Sequence, residues 1–259
     1  MSELPKPDSP AAAKVFPSPN HGERLGGKRP DMLLLHYTGM PDTGAALQKL
    51  CNPMSEVSAH YFVFENGHVL QLVPEARRAW HAGIAWWQHE DDINSRSIGI
   101  EIANTGHTPD GTMPNYPDVQ IGALIVLCRD IVARWRIPAD RVLGHSDVAP
   151  QRKIDPGEVF PWERLHDAGI GHYVRPAPIA DGLRLCPGAD GQPVEALQAM
   201  LALYGYDTAI DGRYDGRTEA VVRAFQRHFR PQCIDGVADA STVTTLRDLI
   251  ASRPASALA

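Results

Sequence analysis

The feature that most constrains this chain is a short apolar segment that ends in polar residues, DMLLLHYT at residues 31–38. Both of its alternating faces are apolar, with Met32 and Leu34 on one and Leu33 and Leu35 on the other. Since successive side chains of a strand point to opposite faces, the pattern predicts a central strand buried on both sides. Such a strand requires other elements to be layered on both faces of its sheet.

The segments that follow mix strands and helices. Residues 61–73 predict a β-hairpin, because Asn66-Gly67 favours a type I′ turn with φ > 0 at both central residues. Apolar residues recur at helical spacing after Asp118, and Thr43 is a candidate N-cap for a shorter helix. The sequence therefore predicts an α/β fold with a mixed central β-sheet flanked by helices.

The predicted secondary structure changes after a Pro-rich segment, RPAPI at residues 175–179. Beyond it the pattern predicts helices alone, and IDGRYDGRT at 210–218 is echoed by IDGVADAST at 234–242, each ending on a candidate N-cap threonine. We therefore expect a small C-terminal three-helix bundle. The expected organisation is an N-terminal arm over residues 1–30, an α/β domain over 31–175, a linker over 176–183 and a helical domain over 184–259.

Composition excludes several classes of function. The 259 residues carry a formal net charge of −6 without a dense run of Lys or Arg, so no nucleic-acid partner is expected. No apolar stretch approaches the roughly 20 residues of a transmembrane helix. The four cysteines form no C-x-x-C pair, and whether Cys186 and Cys233 pair stays open. The first residues show no signal-peptide pattern, so we expect a cytoplasmic protein, or a periplasmic one if an export signal is non-standard or was trimmed.

Two histidines stand where predicted strands end. His36 closes the apolar strand, His145 closes a second short strand in Leu-Gly-His-Ser-Asp, and Asp155 follows in Ile-Asp-Pro-Gly. Ligands collect at the carboxyl ends of strands in α/β sheets, and two histidines with a carboxylate can hold zinc with a fourth position open. A lone histidine is more often a hydrogen-bonded residue at the edge of a core, and no local spacing rule links these three.

Two charged residues have positions that suit chemistry. Glu101 lies in the strand SIGIEIA (97–103), where the isoleucines share one face and Glu101 shares the other with small residues that leave room for a ligand. The alternative is a solvent-facing glutamate on a half-exposed strand. Lys153 stands two residues before Asp155, so in an extended segment both face one site and Ile154 turns away. The alternative is a surface lysine.

Read together, five segments resemble the zinc-dependent N-acetylmuramoyl-L-alanine amidases of the peptidoglycan-recognition superfamily, in their AmpD/AmiD-type branch. The segments are LLLHYTG (33–39), VSAHYFVFENG (57–67), AWHAG (79–83), INSRSIGIEIAN (93–104) and GHSDVAPQRKIDPG (144–157). The resemblance implies hydrolysis of the amide bond between the muramic acid lactyl group and L-alanine. The implied partners are peptidoglycan fragments or 1,6-anhydro-muropeptides.

The resemblance also implies roles for matching residues. His36, His145 and Asp155 would hold Zn²⁺, which lowers the pKa of its bound water toward about 7. Glu101 would be the general acid/base, and Lys153 would stabilise the oxyanion. The implied substrate-binding residues, which are weaker matches, are His60, Trp80, His81, Asn94 and Asn104.

Two further features of the sequence, a difference from some family members at residue 59 and the C-terminal tail, refine the expected function. Some relatives carry a tyrosine directly before the histidine that matches His60, where this chain has Ala59. The resemblance therefore places the chain in the subset that lacks this tyrosine, in which acid/base work falls to the glutamate that matches Glu101. The tail resembles the three-helix peptidoglycan-binding module that is often attached to cell-wall enzymes. Two alternatives stay open: a protein that binds cell-wall fragments without cutting them, and a zinc amidase that acts on another acylated peptide.

Overall fold

The computed structural model describes residues 6–180, 182 and 184–253. Six strands form one sheet in the order β1-β5-β4-β7-β3-β8, and two further pairs, β2 with β6 and β9 with β10, lie outside it. The strands are Lys14–Val15 (β1), His21–Gly22 (β2), Met32–Tyr37 (β3), Tyr61–Val63 (β4), Val69–Gln71 (β5), Arg78–Ala79 (β6), Ser97–Ile102 (β7), Val142–Gly144 (β8), Arg184–Leu185 (β9) and Ala238–Asp239 (β10).

Helices cover the sheet and make up most of the C-terminal region. They are Thr43–Cys51 (α1), Ile93–Arg96 (α2), Asp118–Trp135 (α3), His145–Val148 (α4), Trp162–Asp167 (α5), Gln192–Tyr204 (α6), Gly216–Phe229 (α7) and Ala240–Ala251 (α8), with 3₁₀ turns at Leu25–Gly27, Pro53–Ser55 and Ala139–Arg141. The predicted fold class is confirmed. In the part of the chain that the structure describes, no helix is long and apolar enough to cross a membrane.

β3 is the internal strand that its two apolar faces predict. It pairs in parallel with β7 on one side and β8 on the other, and its first five residues are buried. Leu33 pairs with Ile98 and with Val142, so this part of the sheet is apolar across three strands. Helix α3 packs Ile121 and Leu124 into the same core. The carboxyl ends of β3, β7 and β8 therefore meet along one edge.

The hairpin forms where predicted, but its turn differs. β4 and β5 pair antiparallel, and Gly67 has a φ of +80°. Asn66 does not have a positive φ, so the turn is not type I′, and its side chain instead accepts a hydrogen bond from the His68 backbone N–H at 3.0 Å. An Asn side chain that bonds the backbone two residues on stabilises such a turn locally.

Aspartates, not the expected threonines, cap helices α1, α7 and α8. Asp42 accepts from the backbone N–H of Ala45 at the start of α1, where Thr43 was the expected cap. Asp215 and Asp239 do the same for α7 and α8, in place of the threonines three residues later in the echoed segments. A carboxylate at this position both accepts the hydrogen bond and interacts favourably with the helix dipole.

The two similar segments of the tail, residues 210–218 and 234–242, form the same pattern of hydrogen bonds. The Gln198 side chain accepts from Gly212 N–H and donates to the Thr218 hydroxyl, closing the first turn against its helix. Gln226 accepts from Gly236 N–H and donates to the Thr242 hydroxyl in the same way. The repeated Ile-Asp-Gly turns are thus each held by one buried glutamine.

The N-terminal segment is extended, and its described part is packed on the sheet. β1 pairs in parallel with β5 and adds an edge strand. Arg24 is buried and donates to backbone carbonyls of Glu75, Asn94, Ser95 and Ser97. This arginine therefore ties residues 6–30 to the loops around β6 and α2.

The sheet region and the helical tail share one hydrophobic core. Trp87 and Trp162 belong to the same buried cluster as Tyr206, Phe225 and Phe229 of the tail. The four cysteines are free, Cys186 and Cys233 included. Because the core is continuous, the domain boundaries expected at residues 176–183 stay a prediction.

Candidate metal centre and active site

The three candidate ligands converge at the carboxyl edge of the sheet. His36 lies near the end of β3, His145 begins α4 directly after β8, and Asp155 lies ten residues further along. The His36 Nδ1 and His145 Nδ1 atoms are 3.0 Å apart. Asp155 Oδ2 lies 3.0 Å from the first and 3.1 Å from the second. All three residues are buried.

The hydrogen bonds of the rings fit a cation among these donors. His145 Nε2 lies 2.9 Å from the Ala82 carbonyl oxygen, so Nε2 carries the proton and a neutral ring presents an Nδ1 lone pair. That lone pair faces the Asp155 carboxylate and the Nδ1 atom of His36, which are also electron donors. A divalent metal bound between these donors would relieve their mutual repulsion, and a backbone carbonyl on the other ring nitrogen is the usual support of a ligating histidine.

The protonation tendencies agree with that arrangement. Burial and then the neighbouring His145 lower the pKa of His36 to about 4, which keeps its ring neutral. Burial alone would raise the pKa of Asp155, but its two imidazole neighbours, His145 first and His36 second, hold that pKa well below its usual value. A neutral imidazole and an ionised carboxylate are the forms that bind metal.

Glu101 occupies the neighbouring strand. It pairs in register with His36 across β3 and β7, and both side chains line one cleft of about 410 Å³. Glu101 Oε2 is buried and has no hydrogen-bond partner among the residues that the structure describes. Burial and the negative charge of Asp155 raise the pKa of Glu101 to about 8, although Lys153 and Lys49 oppose that shift. A carboxyl group with a raised pKa in a cleft is suited to proton transfer.

The raised pKa predicts that Glu101 destabilises the folded, metal-free protein at high pH. Its pKa is about 8 in the folded protein and near the ordinary value of 4.5 in the unfolded chain, so the free energy of unfolding falls as the pH rises from about 4.5 to about 8. We expect Glu101→Gln to raise the melting temperature of chelator-treated protein by about 5 °C at pH 9 and to leave it unchanged at pH 4. Thermal unfolding of both proteins checks this, with Glu65→Gln on the exposed hairpin tip as control. An equal shift at both pH values would contradict it.

Lys153 also lines the cleft, as its spacing from Asp155 predicts. Ile154 was expected to turn away, yet it too lines the cleft and is 40% exposed, because the segment is a turn and not a strand. Arg152 donates to the carbonyl oxygens of Ala82 and Ile84 and so fixes this turn against the facing loop.

The weaker candidates separate into two groups. Trp80 and His81 line the cleft. His81 Nδ1 lies 3.1 Å from His36 Nε2, so it also supports the outer side of a candidate ligand. Gly99 does not leave room for a ligand, because a Cβ there would lie 2.5 Å from the His81 ring. The strand is glycine at this position so that His81 can pack on it.

The other three predicted residues lie behind the cleft lining. His60 accepts from the Gly99 backbone N–H and contacts Arg24. Asn94 accepts from the backbone N–H groups of His81 and Ala82, and Asn104 donates to the Pro114 carbonyl. These residues position loops around the site, and direct contact with substrate stays a prediction.

Sequence reasoning missed several residues that the structure brings to the cleft, among them Tyr37, Lys49 and Arg152. Tyr37 and Arg152 directly adjoin His36 and Lys153 in the sequence, and this adjacency could have identified them as candidates. Lys49 is near the end of α1, and only the packing of that helix beside the sheet edge places it there.

The site combines two buried histidines and a carboxylate at a sheet edge with a second carboxylate whose pKa is raised. This combination is typical of metal-dependent hydrolases. The comparisons with known proteins specify the class. The chain belongs to the N-acetylmuramoyl-L-alanine amidase family, whose model matches residues 26–158. A second model, for a putative peptidoglycan binding domain, matches residues 190–246. The resemblance found in the sequence motifs is therefore confirmed.

Individual relatives extend the similarity to most of the chain. It is 40% identical to the N-acetylmuramoyl-L-alanine amidase AmiD of Escherichia coli over 82% of its length and 79% of the relative's. It is 34% identical to the 1,6-anhydro-N-acetylmuramyl-L-alanine amidase AmpD of Enterobacter cloacae, over 60% of this chain and 88% of that protein.

Solved structures of relatives contain substrate-like ligands. E. coli AmiD, solved with anhydro-N-acetylmuramic acid-L-Ala-D-gamma-Glu-L-Lys, superposes with a TM-score of 0.74 at 37% identity, over 88% of this chain and 91% of that one. Pseudomonas aeruginosa AmpDh3 with an anhydromuramic pentapeptide gives a TM-score of 0.68 at 31% identity, over 91% and 96% of the two chains.

Proposed function

We propose that this protein is a zinc-dependent amidase that hydrolyses the amide bond between N-acetylmuramic acid, or its 1,6-anhydro form, and L-alanine. The observation that carries the proposal is the convergence of the His36, His145 and Asp155 donor atoms beside Glu101 in one cleft. The ligands of the E. coli and P. aeruginosa relatives support this class of substrate.

The residues divide the chemistry among them. His36, His145 and Asp155 would hold Zn²⁺, which supplies a polarised water at neutral pH and activates the carbonyl. Glu101 takes the proton of the water as the new C–O bond forms, and it returns a proton to the L-alanine nitrogen as the C–N bond breaks. The products are a lactyl carboxylic acid on the sugar and a free amine on the peptide.

Lys153 is the candidate for oxyanion stabilisation. It lines the cleft, and it forms no ion pair with any residue in the described ranges. A fixed cation there would interact with the negative charge that develops on the carbonyl oxygen in the transition state.

We expect Lys153→Ala to lower kcat by about 10²-fold, since the loss of one oxyanion-stabilising group has an effect of about that size. Zinc content should stay at the wild-type level, because Lys153 is not a ligand. Lys153→Arg keeps the charge and is expected to recover part of the rate. Steady-state kinetics with metal analysis measures both, and an unchanged kcat in Lys153→Ala would remove this residue from the mechanism.

The proposed bond specificity is tested by comparing two substrates. Zinc-loaded protein should release an L-alanine-headed peptide from a muramyl peptide and leave a plain N-acyl peptide intact, and chelator treatment should abolish the release. Cleavage of both substrates would favour a zinc amidase of broader specificity. Binding of the muramyl peptide without cleavage would favour a recognition protein.

We further propose that the region over residues 190–246 binds polymeric peptidoglycan, supported by the family model that matches it. Rates of the full chain on intact sacculi and on soluble anhydro-muropeptides would show which form is preferred. Co-sedimentation of the Glu101→Gln variant with sacculi tests binding without cleavage. The cytoplasmic location expected from the sequence stays a prediction.

A further inference from the structure

Helix α4 carries a candidate metal ligand but is too short to fix its own position. His145 is its first residue, and Val148 is its last. One backbone bond of its own, from Ala149 N–H to the His145 carbonyl at 3.0 Å, closes its turn. The Asp147 side chain supplements this bond by accepting from the Gly144 backbone N–H at 2.8 Å. The orientation of His145 therefore depends in part on where the Asp147 carboxylate is held, beside the Ser146 N–H bond to the Asp155 carbonyl and the contact of His145 Nε2 with the Ala82 carbonyl.

Two residues of the helical tail hold that carboxylate. The Tyr206 hydroxyl donates to Asp147 Oδ1 at 2.8 Å, and His228 Nδ1 donates to Asp147 Oδ2 at 2.8 Å. Asp147 has no exposed surface, and His228 is 3% exposed. A buried carboxylate needs such donors because it has lost its hydration. Without the tail, Asp147 would keep only the bond from Gly144 within its own turn.

Aromatic rings pack around His228 and Tyr206 and fix the positions of these two donors. The His228 ring stacks on Trp162 with centroids 3.7 Å apart and planes 19° from parallel. Tyr206 meets Trp87 edge to face with centroids 4.9 Å apart. Gly205 allows this approach, because a Cβ at that position would lie 2.6 Å from the Trp87 ring. The donors are therefore held in a packed apolar interface and not on flexible surface side chains.

We propose that Tyr206 and His228 of the C-terminal region are positioning residues for the metal centre, acting on His145 through Asp147. The tail then has a second role besides any contact with the cell wall, because it completes the support of a ligand that the sheet region carries. This inference rests on the proposed function only in that the site binds zinc.

The test uses the full chain and a matched pair of variants. Tyr206→Phe removes one oxygen that bonds Asp147. Tyr204→Phe removes one oxygen that lies 3.0 Å from His172 Nδ1 across the same interface and forms no hydrogen bond with Asp147. His228→Phe keeps an aromatic ring against Trp162 but removes the second donor. The readouts are the Kd for Zn²⁺ by competition with a chelator, and the visible absorption bands of the Co²⁺-substituted protein, which report ligand geometry.

We expect Tyr206→Phe and His228→Phe each to weaken zinc binding by about fivefold and to shift the Co²⁺ bands, less than the roughly 10–100-fold effect of losing a residue bonded directly to a ligand, because both act through Asp147. Tyr204→Phe should lower the melting temperature to a similar extent as Tyr206→Phe while leaving zinc affinity within about twofold of wild type. If His228→Phe does not fold, Tyr206→Phe decides. Equal zinc affinity in Tyr206→Phe, Tyr204→Phe and wild type would overturn the proposal, whereas a wild type that binds no zinc would overturn the proposed function itself.

Discussion

Replacing Asp155 with alanine is expected to remove zinc from the protein and with it all measurable amidase activity. Asp155 Oδ2 lies within 3.1 Å of both histidine Nδ1 atoms, so the variant loses one of three donors and the only negative charge among them. Loss of a residue that merely supports a ligand weakens metal binding by roughly 10–100-fold, and loss of a ligand should exceed that. Zinc content after dialysis, measured by atomic spectroscopy, gives the result directly.

The matched control is Glu158→Ala. Glu158 lies three residues further along the same loop, and its carboxylate accepts from His107 Nε2 without contacting the three candidate ligands. This variant should keep one zinc per chain. If Asp155→Ala also kept one zinc at wild-type affinity, the assignment of the metal centre would be wrong.

The second large effect is expected at Glu101. Glu101→Gln preserves the shape of the side chain but cannot accept a proton, so kcat should fall by about 10²–10⁴-fold. Zinc affinity should stay near that of wild type, because Glu101 is not one of the converging ligands. The wild-type rate should rise with pH as Glu101 ionises, and that limb should be absent from the residual activity of the variant.

Kinetics and zinc binding measured on the same preparations check this result, with the exposed Glu65→Gln variant as control. A loss of zinc in Glu101→Gln would make Glu101 a ligand or a structural residue. A kcat within a few-fold of wild type would exclude it as the acid/base group.

Local patterns predicted the central elements of the fold well. The doubly apolar run before His36 could be satisfied only by an internal strand, and β3 is internal. Capping was less predictable, because Asp and Thr three residues apart in each echoed segment are both acceptable caps and only packing decides between them. The Asn66-Gly67 turn shows the same limit, since dipeptide preference fixed the place of the turn but not its type.

The candidate metal centre is assembled by the topology of the sheet. His36 and His145 are 109 residues apart and meet because β3 and β8 are parallel neighbours. Spacing alone could not establish that adjacency, and the family motifs supplied it. No local sequence pattern could predict the hydrogen bonds from Tyr206 and His228 to Asp147, because these residues meet only where the C-terminal region packs on the sheet region.

The most direct test of the central claim is hydrolysis of an anhydro-muramyl tripeptide by zinc-loaded protein in ¹⁸O-labelled water, with the products analysed by mass spectrometry. We expect two products, the anhydro sugar with the label in its lactyl carboxylate and an unlabelled peptide that begins with L-alanine. Intact substrate, or label in the peptide from cleavage at another bond, would contradict it.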